Sequence, residues 1–321
     1  MKIKVGIIGG AGYTAGELIR LLINHPNVEI AFVHSTSNAG NKITDVHSGL
    51  IGETELIFSN EYSFERVDAL FLCSAHGDSK KFMEENTVPN HIKIIDLSTD
   101  YRDESDGFVY GLPELNKERI PKATRIANPG CFATAIQLAI LPLAANNLLK
   151  NEVHVNAITG STGAGVKPST TTHFSWRDNN ISIYKPFEHQ HLTEIKQSLN
   201  QLQQGFNQPV NFIPVRGNFS RGIYATAYTD CDLSLEEVKE LYADFYKGAA
   251  FTFITDKNPD LKQAVNTNKC VLYLEKHGNK LLVVSVIDNL LKGASGQAVH
   301  NFNLLFGLNE KTGLVLKASA F

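Results

Sequence analysis

Lys2-Ile3-Lys4-Val5-Gly6-Ile7-Ile8-Gly9-Gly10-Ala11-Gly12-Tyr13-Thr14-Ala15-Gly16 decides the fold. A β-branched run stops at a cluster of glycines. A helical pattern follows, with Leu18, Leu21 and Leu22 on one side and Arg20 and Asn24 on the other. Strand, glycine turn and helix in this order form the setting of a dinucleotide-binding unit. Gly9 permits the tight turn, Gly12 lets the backbone approach a pyrophosphate, and the phosphates meet the helix N-terminus. A βα turn with a purely structural role is the alternative.

The second strand, Val28 to His34, bears on the choice of nucleotide. An NAD-specific site usually ends this strand with a carboxylate for the ribose 2′-hydroxyl. Here Ser35-Thr36-Ser37-Asn38 follows His34, so Ser35 and Thr36 offer hydroxyls without negative charge, which suits a 2′-phosphate and favours NADP. No arginine is present to clamp that phosphate, and Lys42 is the nearest cation. Ala69 to Cys73 and Ile92 to Ile95 read as further buried strands. The first ends in Ser74-Ala75-His76-Gly77 and the second in Asp96-Leu97-Ser98-Thr99-Asp100-Tyr101-Arg102. Ligands gather beyond the carboxyl ends of parallel strands, so Ser74 and His76 are cofactor-site candidates. Arg102 suits a fork for a carboxylate or phosphate, with a surface role as the alternative.

Ala127-Asn128-Pro129-Gly130-Cys131-Phe132-Ala133-Thr134-Ala135 carries the chemistry. A Pro-Gly turn leads into Cys131, and Ile136, Ile140 and Leu143 fall on one face of a following helix. Free N–H groups and the dipole at a helix start favour a thiolate, the form that attacks a carbonyl carbon. A small buried hydrophobe is the alternative. A thiolate also needs an acid/base. Glu188-His189-Gln190-His191-Leu192-Thr193-Glu194-Ile195 sets two imidazoles and two carboxylates at a helix start, with Glu194 able to orient a histidine. An ordinary surface helix start fits this stretch as well. Zinc lacks a third nearby ligand, so no metal is expected.

Beyond Cys131 the pattern alternates. Val153 to Thr159 runs into Gly160-Ser161-Thr162-Gly163-Ala164-Gly165, and Val210 to Arg216 and Gly222 to Thr229 follow. A Ser234…Glu237 capping box opens one amphipathic helix. Cys270 to Glu275 and Lys280 to Ile287 flank a turn at His277-Gly278-Asn279. The fold class predicted is α/β: a Rossmann-type dinucleotide-binding domain plus an α+β domain with a mostly antiparallel sheet. Residues 1–130, joined by a C-terminal helix within about 295–321, form the first domain and 131–294 the second, catalytic one.

The 321 residues carry a net charge of −3, with 43% hydrophobic and 20% charged content. This balance gives no electrostatic case for nucleic acid or an anionic membrane as partner. No secretory signal and no apolar run of membrane-spanning length are evident, so a cytoplasmic location is expected. Cys73, Cys131, Cys231 and Cys270 are too widely spaced for a zinc grouping. The last two and Cys73 sit in strand-like runs that suit packing.

These pieces together resemble the N-acetyl-γ-glutamyl-phosphate reductase family. Asn128-Pro129-Gly130-Cys131-Phe132-Ala133-Thr134 is similar to that family's active-site signature. Gly12-Tyr13-Thr14 with Glu17-Leu18, Asp96-Leu97-Ser98 with Arg102, and Gly111-Leu112-Pro113-Glu114 match in order. So do the His189/His191/Glu194 cluster, Asp288-Asn289-Leu290 and Lys292-Gly293-Ala294-Ser295-Gly296-Gln297. The sequence departs at Ala15-Gly16, at Thr193 and over Asn218-Phe219-Ser220, and it lacks an arginine after the second strand; no reacting group is lost. The resemblance implies a fold like glyceraldehyde-3-phosphate and aspartate-semialdehyde dehydrogenases. It implies NADPH-dependent reduction of an acyl phosphate through a Cys131 thioester, with release of phosphate, in arginine biosynthesis. It gives the acid/base role to His189, then His191, with Glu194 as orienter, and a substrate anion to Arg102. Tyr13 and Thr14 join the cofactor site, Asn289 meets the nicotinamide carboxamide, and Ser161 and Gly163 border substrate or cofactor. A homo-oligomer, dimer or tetramer, is implied as well. Alternatives are the same chemistry on an N-succinyl or aspartyl acyl phosphate, or a nucleotide-sensing protein that does no chemistry.

Overall fold

The computed structural model describes residues 2–319. The described residues of Met1–Pro129 and Ala294–Val315 form one compact unit, and those of Gly130–Gly293 and Leu316–Phe321 form another.

The first unit runs β1 (Ile3–Ile8), α1 (Tyr13–Leu22), β2 (Val28–His34), α2 (Ile43–Val46), β3 (Phe58–Ser59), β4 (Ala69–Leu72), α3 (Asp78–Glu85), β5 (Lys93–Asp96), β6 (Phe108–Tyr110), α4 (Pro113–Asn116) and β7 (Arg125–Ala127). Its sheet has the order β3-β2-β1-β4-β5-β7-β6, and every pairing is parallel. All four residues of β4 are buried, as a parallel strand covered on both faces requires. The order reverses between β1 and β4, the place where open parallel sheets bind ligands. The final helix, Gly296–Leu305, is buried along its whole length in this unit. Phe302 lies with its ring centroid 5.8 Å from Phe71 and 5.8 Å from His25. Ser295 opens this helix, and its hydroxyl donates to the Thr14 carbonyl at 2.7 Å.

The second unit runs α5 (Cys131–Ala145), β8 (Val153–Thr159), α6 (Phe174–Arg177), β9 (Ser182–Ile183), α7 (His191–Leu202), β10 (Val210–Arg216), β11 (Ile223–Asp230), α8 (Leu235–Phe245), β12 (Thr252–Thr255), β13 (Cys270–His277) and β14 (Lys280–Ile287). The sheet order is β12-β13-β14-β11-β8-β10-β9. It is a mixed sheet: β12 with β13 and β8 with β10 are parallel, and the other four pairings are antiparallel. The hairpin strand β13 extends to His277, so the turn is Gly278-Asn279, with Gly278 at φ +57°. A two-residue turn of this kind needs a positive φ, which glycine supplies freely. The capping box forms, with the Glu237 N–H reaching Ser234 Oγ at 3.2 Å and Ser234 N–H reaching Glu237 at 2.7 Å.

The helix that Cys131 opens is buried continuously from Phe132 to Ala144, so it is a core helix without a solvent face. Pro142 inside it supplies no N–H, which leaves the Leu138 carbonyl without its partner four residues on. The Tyr246 hydroxyl donates to that carbonyl, and Tyr242 donates to the next one, at Ala139. Among the described residues no helix is long and apolar enough to cross a membrane.

Candidate active site

Of the four cysteines, Cys131 alone is not buried. Burial pushes the Cys73 thiol far up, in keeping with a packing role. Gly130, the residue that caps α5, has extended backbone angles and offers no side chain. The acceptor comes from another helix: Glu194 Oε2 takes the Gly130 N–H at 3.0 Å. Behind the cysteine, Gly293 approaches so closely that a Cβ there would lie 2.8 Å from Cys131 Cβ. Glycine at 293 is therefore what allows Cys131 its position.

His189 and His191 are both buried, with ring centroids 4.5 Å apart. Phe132, the residue after the cysteine, packs its ring against both, at 5.5 Å and 6.3 Å. The His191 backbone N–H donates to His189 Nδ1 at 3.2 Å. The neutral His189 ring assigned from that bond carries its proton on Nε2. Burial, aided by the charges of Lys185 and Arg216, lowers its pKa from 6.5 to about 4. Glu194 serves the other imidazole: its Oε1 lies 3.9 Å from His191 Nε2. The orienting carboxylate thus belongs to His191 and to the start of α5.

Tyr184, Lys185, Phe187 and Arg216, which no local motif marks, adjoin this cluster. Tyr184 packs its ring 5.8 Å from His189 and 6.5 Å from Phe132. Burial and the charge at Cys131 push its phenol up to about 12. Arg216 ends β10 with its guanidinium carbon 4.5 Å from the Tyr184 ring centre. Lys185 has φ +45° and Phe187 φ +63°, a left-handed excursion by two non-glycine residues directly before His189. Backbone held this way costs about 1–3 kcal/mol per residue and concentrates at sites where geometry matters. Arg216 terminates a strand that runs parallel to β8, next to the 160–165 glycine loop, a pairing that only the fold reveals.

Asn289 is buried and braces that loop. Its Nδ2 donates to Thr162 Oγ1 at 3.0 Å, and its Oδ1 accepts the Gly222 N–H at 2.7 Å. The Ser161 N–H donates to the Phe219 carbonyl at 2.8 Å and the Gly163 N–H to the Gly160 carbonyl at 3.4 Å. Next to Asn289, Asp288 is fully buried and takes the Arg221 guanidinium at 3.1 Å through each oxygen.

The glycine turn of the first unit fits a nucleotide. Gly9 has φ +80°, and a Cβ there would lie 2.8 Å from the Ser74 nitrogen. A Cβ at Gly16 would collide with His47. Around Gly12, which caps α1 without any side-chain hydrogen bond, nothing lies within 4 Å of an added Cβ. The helix start is thus open, with exposed Tyr13 and half-buried Thr14 in its first turn. Ser35 is buried at the end of β2, with its N–H on the Ser59 carbonyl at 2.9 Å, while Thr36 is exposed. No carboxylate occupies this strand end, and Lys42 pairs with Glu55 at 3.0 Å. His76 Nδ1 accepts the Thr99 N–H at 3.2 Å. The neighbouring α3 start is already taken by Asp100, which accepts from Gly77 and Lys80. Arg102 gives its Nε to the Asn128 carbonyl at 3.0 Å and its Nη2 to the Leu97 carbonyl at 3.3 Å, so two of its donors hold the segment before Cys131 and the end of β5.

The "Semialdehyde dehydrogenase, NAD binding domain" family matches residues 4–123, and the "Semialdehyde dehydrogenase, dimerisation domain" family matches residues 131–289. The N-acetyl-gamma-glutamyl-phosphate reductase of Azobacteroides pseudotrichonymphae is 68% identical over 321 residues, covering 99% of this chain and 100% of that protein. The proteins of that name from Parabacteroides distasonis and Christiangramia forsetii are 68% and 62% identical, each with 99% of this chain and 100% of the relative covered. Among solved structures, aspartate semialdehyde dehydrogenase II from Vibrio cholerae, complexed with ASA, has a TM-score of 0.75 at 17% identity. It covers 96% of this chain and 99% of that one. Aspartate semialdehyde dehydrogenase with NADP from Candida albicans gives 0.72 at 17% identity, covering 95% and 99%. The chain belongs to the N-acetyl-γ-glutamyl-phosphate reductase family, within the semialdehyde dehydrogenases.

Proposed function

We propose that the chain is an NADP-dependent oxidoreductase that reduces N-acetyl-γ-glutamyl phosphate to N-acetylglutamate 5-semialdehyde and releases phosphate, a step of arginine biosynthesis. The observation that carries this reading is the accessible Cys131 at the start of buried α5, with His189, His191 and Glu194 packed about its first turn.

The Cys131 sulfur, as thiolate, attacks the γ-carbonyl carbon, the carbon–oxygen bond to phosphate breaks, and a thioester forms. Backbone N–H groups of the first α5 turn stabilise the oxyanion. When bound at the glycine turn, NADPH contributes a hydride to the chemistry. His189, neutral with its proton on Nε2, shares that proton with the alkoxide of the resulting thiohemiacetal through a hydrogen bond and takes it back as the alkoxide collapses to the aldehyde. The carbon–sulfur bond then breaks, freeing the semialdehyde and restoring the thiolate. Glu194 orients His191 and ties it to the helix start, and Asn289 holds the 160–163 loop beside which Ser161 and Gly163 meet the ligands. Arg102 is assigned to a substrate anion.

Gly9, Gly12, Tyr13 and Thr14 bind the pyrophosphate, Ser35 and Thr36 the 2′-phosphate, and Ser74, His76 and Asn289 the nicotinamide side of NADP. Residues 1–130 with the C-terminal segment act as the nucleotide domain, and 131–294 as the catalytic and dimerisation domain. Two or four copies assemble, in the cytoplasm. The match of 131–289 to a dimerisation domain supports the assembly.

The test follows NADP reduction with phosphate and N-acetylglutamate semialdehyde, N-succinylglutamate semialdehyde or aspartate semialdehyde. The reading requires phosphate-dependent reduction with an N-acylglutamate semialdehyde and much less with aspartate semialdehyde. No reduction with any of the three contradicts it.

A further inference from the structure

Arg216 has features of a ligand-binding arginine. Its guanidinium carbon lies over the Tyr184 ring, 4.5 Å from the ring centre, and among the described residues no carboxylate pairs with it. Its Nε is buried and has no hydrogen-bond partner. Guanidinium groups held in protein normally find an acceptor, because leaving a desolvated donor unmet is unfavourable. The surroundings add positive charge. Lys185, on the strained segment before His189, is exposed, with its Nζ 3.5 Å from Gln190 Oε1.

Arg177 lies behind, and it is already fully engaged. Its donors go to the carbonyls of Thr171, Asn180 and Arg216 and to Ser182 Oγ. It holds the Arg216 backbone at 2.9 Å and is itself discharged more easily than usual because it is buried beside that second guanidinium. Arg177 therefore anchors the end of β10, and Arg216 is the member of the pair left to face a ligand.

The position connects to the rings packed beside Cys131 by direct contacts. Tyr184 touches the rings of Phe132 and His189, and its phenol senses the charge at Cys131. Glu194 is the buried carboxylate of this cluster, and it is committed to Gly130 and His191. A fixed cation without a counter-ion, one ring away from the nucleophile, suits an anionic group of the substrate. A planar fork fits a carboxylate in two-point contact, and its stacking on Tyr184 orients that fork.

Resting on the acyl-phosphate reductase reading, we propose that Arg216, stacked on Tyr184 and backed by Arg177, is the carboxylate-binding residue of the substrate site. The γ-carbonyl carbon must sit at Cys131, so the carboxylate that Arg216 meets belongs to the non-reacting part of the molecule. That is either the α-carboxylate of the glutamyl unit or a carboxylate on its N-acyl group.

The experiment is a substrate–residue cycle in the oxidative direction, using full-length enzyme, NADP and phosphate. N-acetylglutamate semialdehyde and its α-carboxamide are compared in wild type, Arg216→Gln and Arg216→Lys. N-succinylglutamate semialdehyde and its succinyl monoamide are run in parallel. Wild type is expected to prefer one acid over its amide by tenfold or more in kcat/KM. Arg216→Gln should reduce that preference to under threefold by raising KM for the acid at least tenfold, with KM for phosphate within twofold. Loss of preference in the first pair assigns the α-carboxylate, and loss in the second assigns the acyl carboxylate. Arg216→Lys, which keeps charge but not the fork, should fall between, and it serves as the variant if Arg216→Gln does not fold. An unchanged preference in both pairs overturns the inference, as does a rise in KM for phosphate alone. Absence of activity in wild type with every semialdehyde instead removes the underlying reading.

Discussion

Glu194 Oε2 accepts the backbone N–H of Gly130 at 3.0 Å, one residue ahead of Cys131. The start of α5 is thus tied to α7, which His191 opens, by a single buried carboxylate. Glu194→Ala leaves a buried N–H without that acceptor, at a cost of about 1–3 kcal/mol. Glu194→Gln keeps an oxygen in place and should cost clearly less. Denaturant midpoints of the two variants check this, and equal losses would show that the bond to Gly130 contributes nothing.

His189 gives the pH dependence its sign. Its pKa is lowered from 6.5 to about 4 in the folded chain, so the unfolded chain binds the proton more tightly. Stability from this group is whole above pH 6.5, declines as pH falls from 6.5 toward 4, and below that is reduced by about 3 kcal/mol. His189→Asn should flatten the stability profile over that window. The same substitution should lower turnover by about 10²–10⁴, as for loss of an acid/base. If His191→Asn alone lowers turnover, the two imidazoles exchange roles.

The two turn glycines separate stability from binding. Gly9→Ala forces a left-handed φ on alanine and drives its Cβ into the Ser74 backbone. The strain is about 1–2 kcal/mol, with steric repair adding about 1–3 kcal/mol. Gly12→Val meets only open space, so its melting temperature should stay within a few degrees, roughly, of wild type. NADPH affinity should nonetheless fall at least tenfold or so, because the side chain stands where the pyrophosphate meets the helix start. Thermal melts and fluorescence titration with NADPH distinguish the two, and tight binding by Gly12→Val would rule out the glycine turn as the phosphate site.

Ser35, directly after β2, is the residue proposed to set the nucleotide preference. Ser35→Asp introduces the carboxylate that binds a ribose 2′-hydroxyl and repels a 2′-phosphate. The ratio of kcat/KM for NADPH over NADH should fall by about tenfold or more, since a like charge at close range costs over about 1.4 kcal/mol. An unaltered ratio would place the 2′-phosphate elsewhere.

What the sequence made legible was local. The β1–glycine–α1 turn is encoded by adjacent residues, and the hydrophobic run after Cys131 announces its helix. The short strands β3, β6, β7, β9 and β12 span two to four residues each, too few to show a period, and depend on partners far along the chain. The π-helical turn at Leu291–Ser295 was hidden for the same reason, since its register follows from the close packing of Gly293 on Cys131. At the site, the cysteine and the histidine pair were readable because each is a compact motif. Tyr184 and Arg216 were not, because 32 positions of chain separate them and only the fold stacks one on the other. The partner of Glu194 was likewise unreadable, as Gly130 reaches it through tertiary contact alone.

The central claim is a covalent thioester on Cys131, and the direct measurement is rapid-quench analysis of enzyme mixed with N-acetyl-γ-glutamyl phosphate without NADPH. The account predicts a burst of about one phosphate per active site, an acyl adduct on the peptide bearing Cys131, and neither in Cys131→Ser, whose turnover should fall by on the order of 10³-fold or more. Phosphate released only when NADPH is present, with no adduct on that peptide, would contradict it.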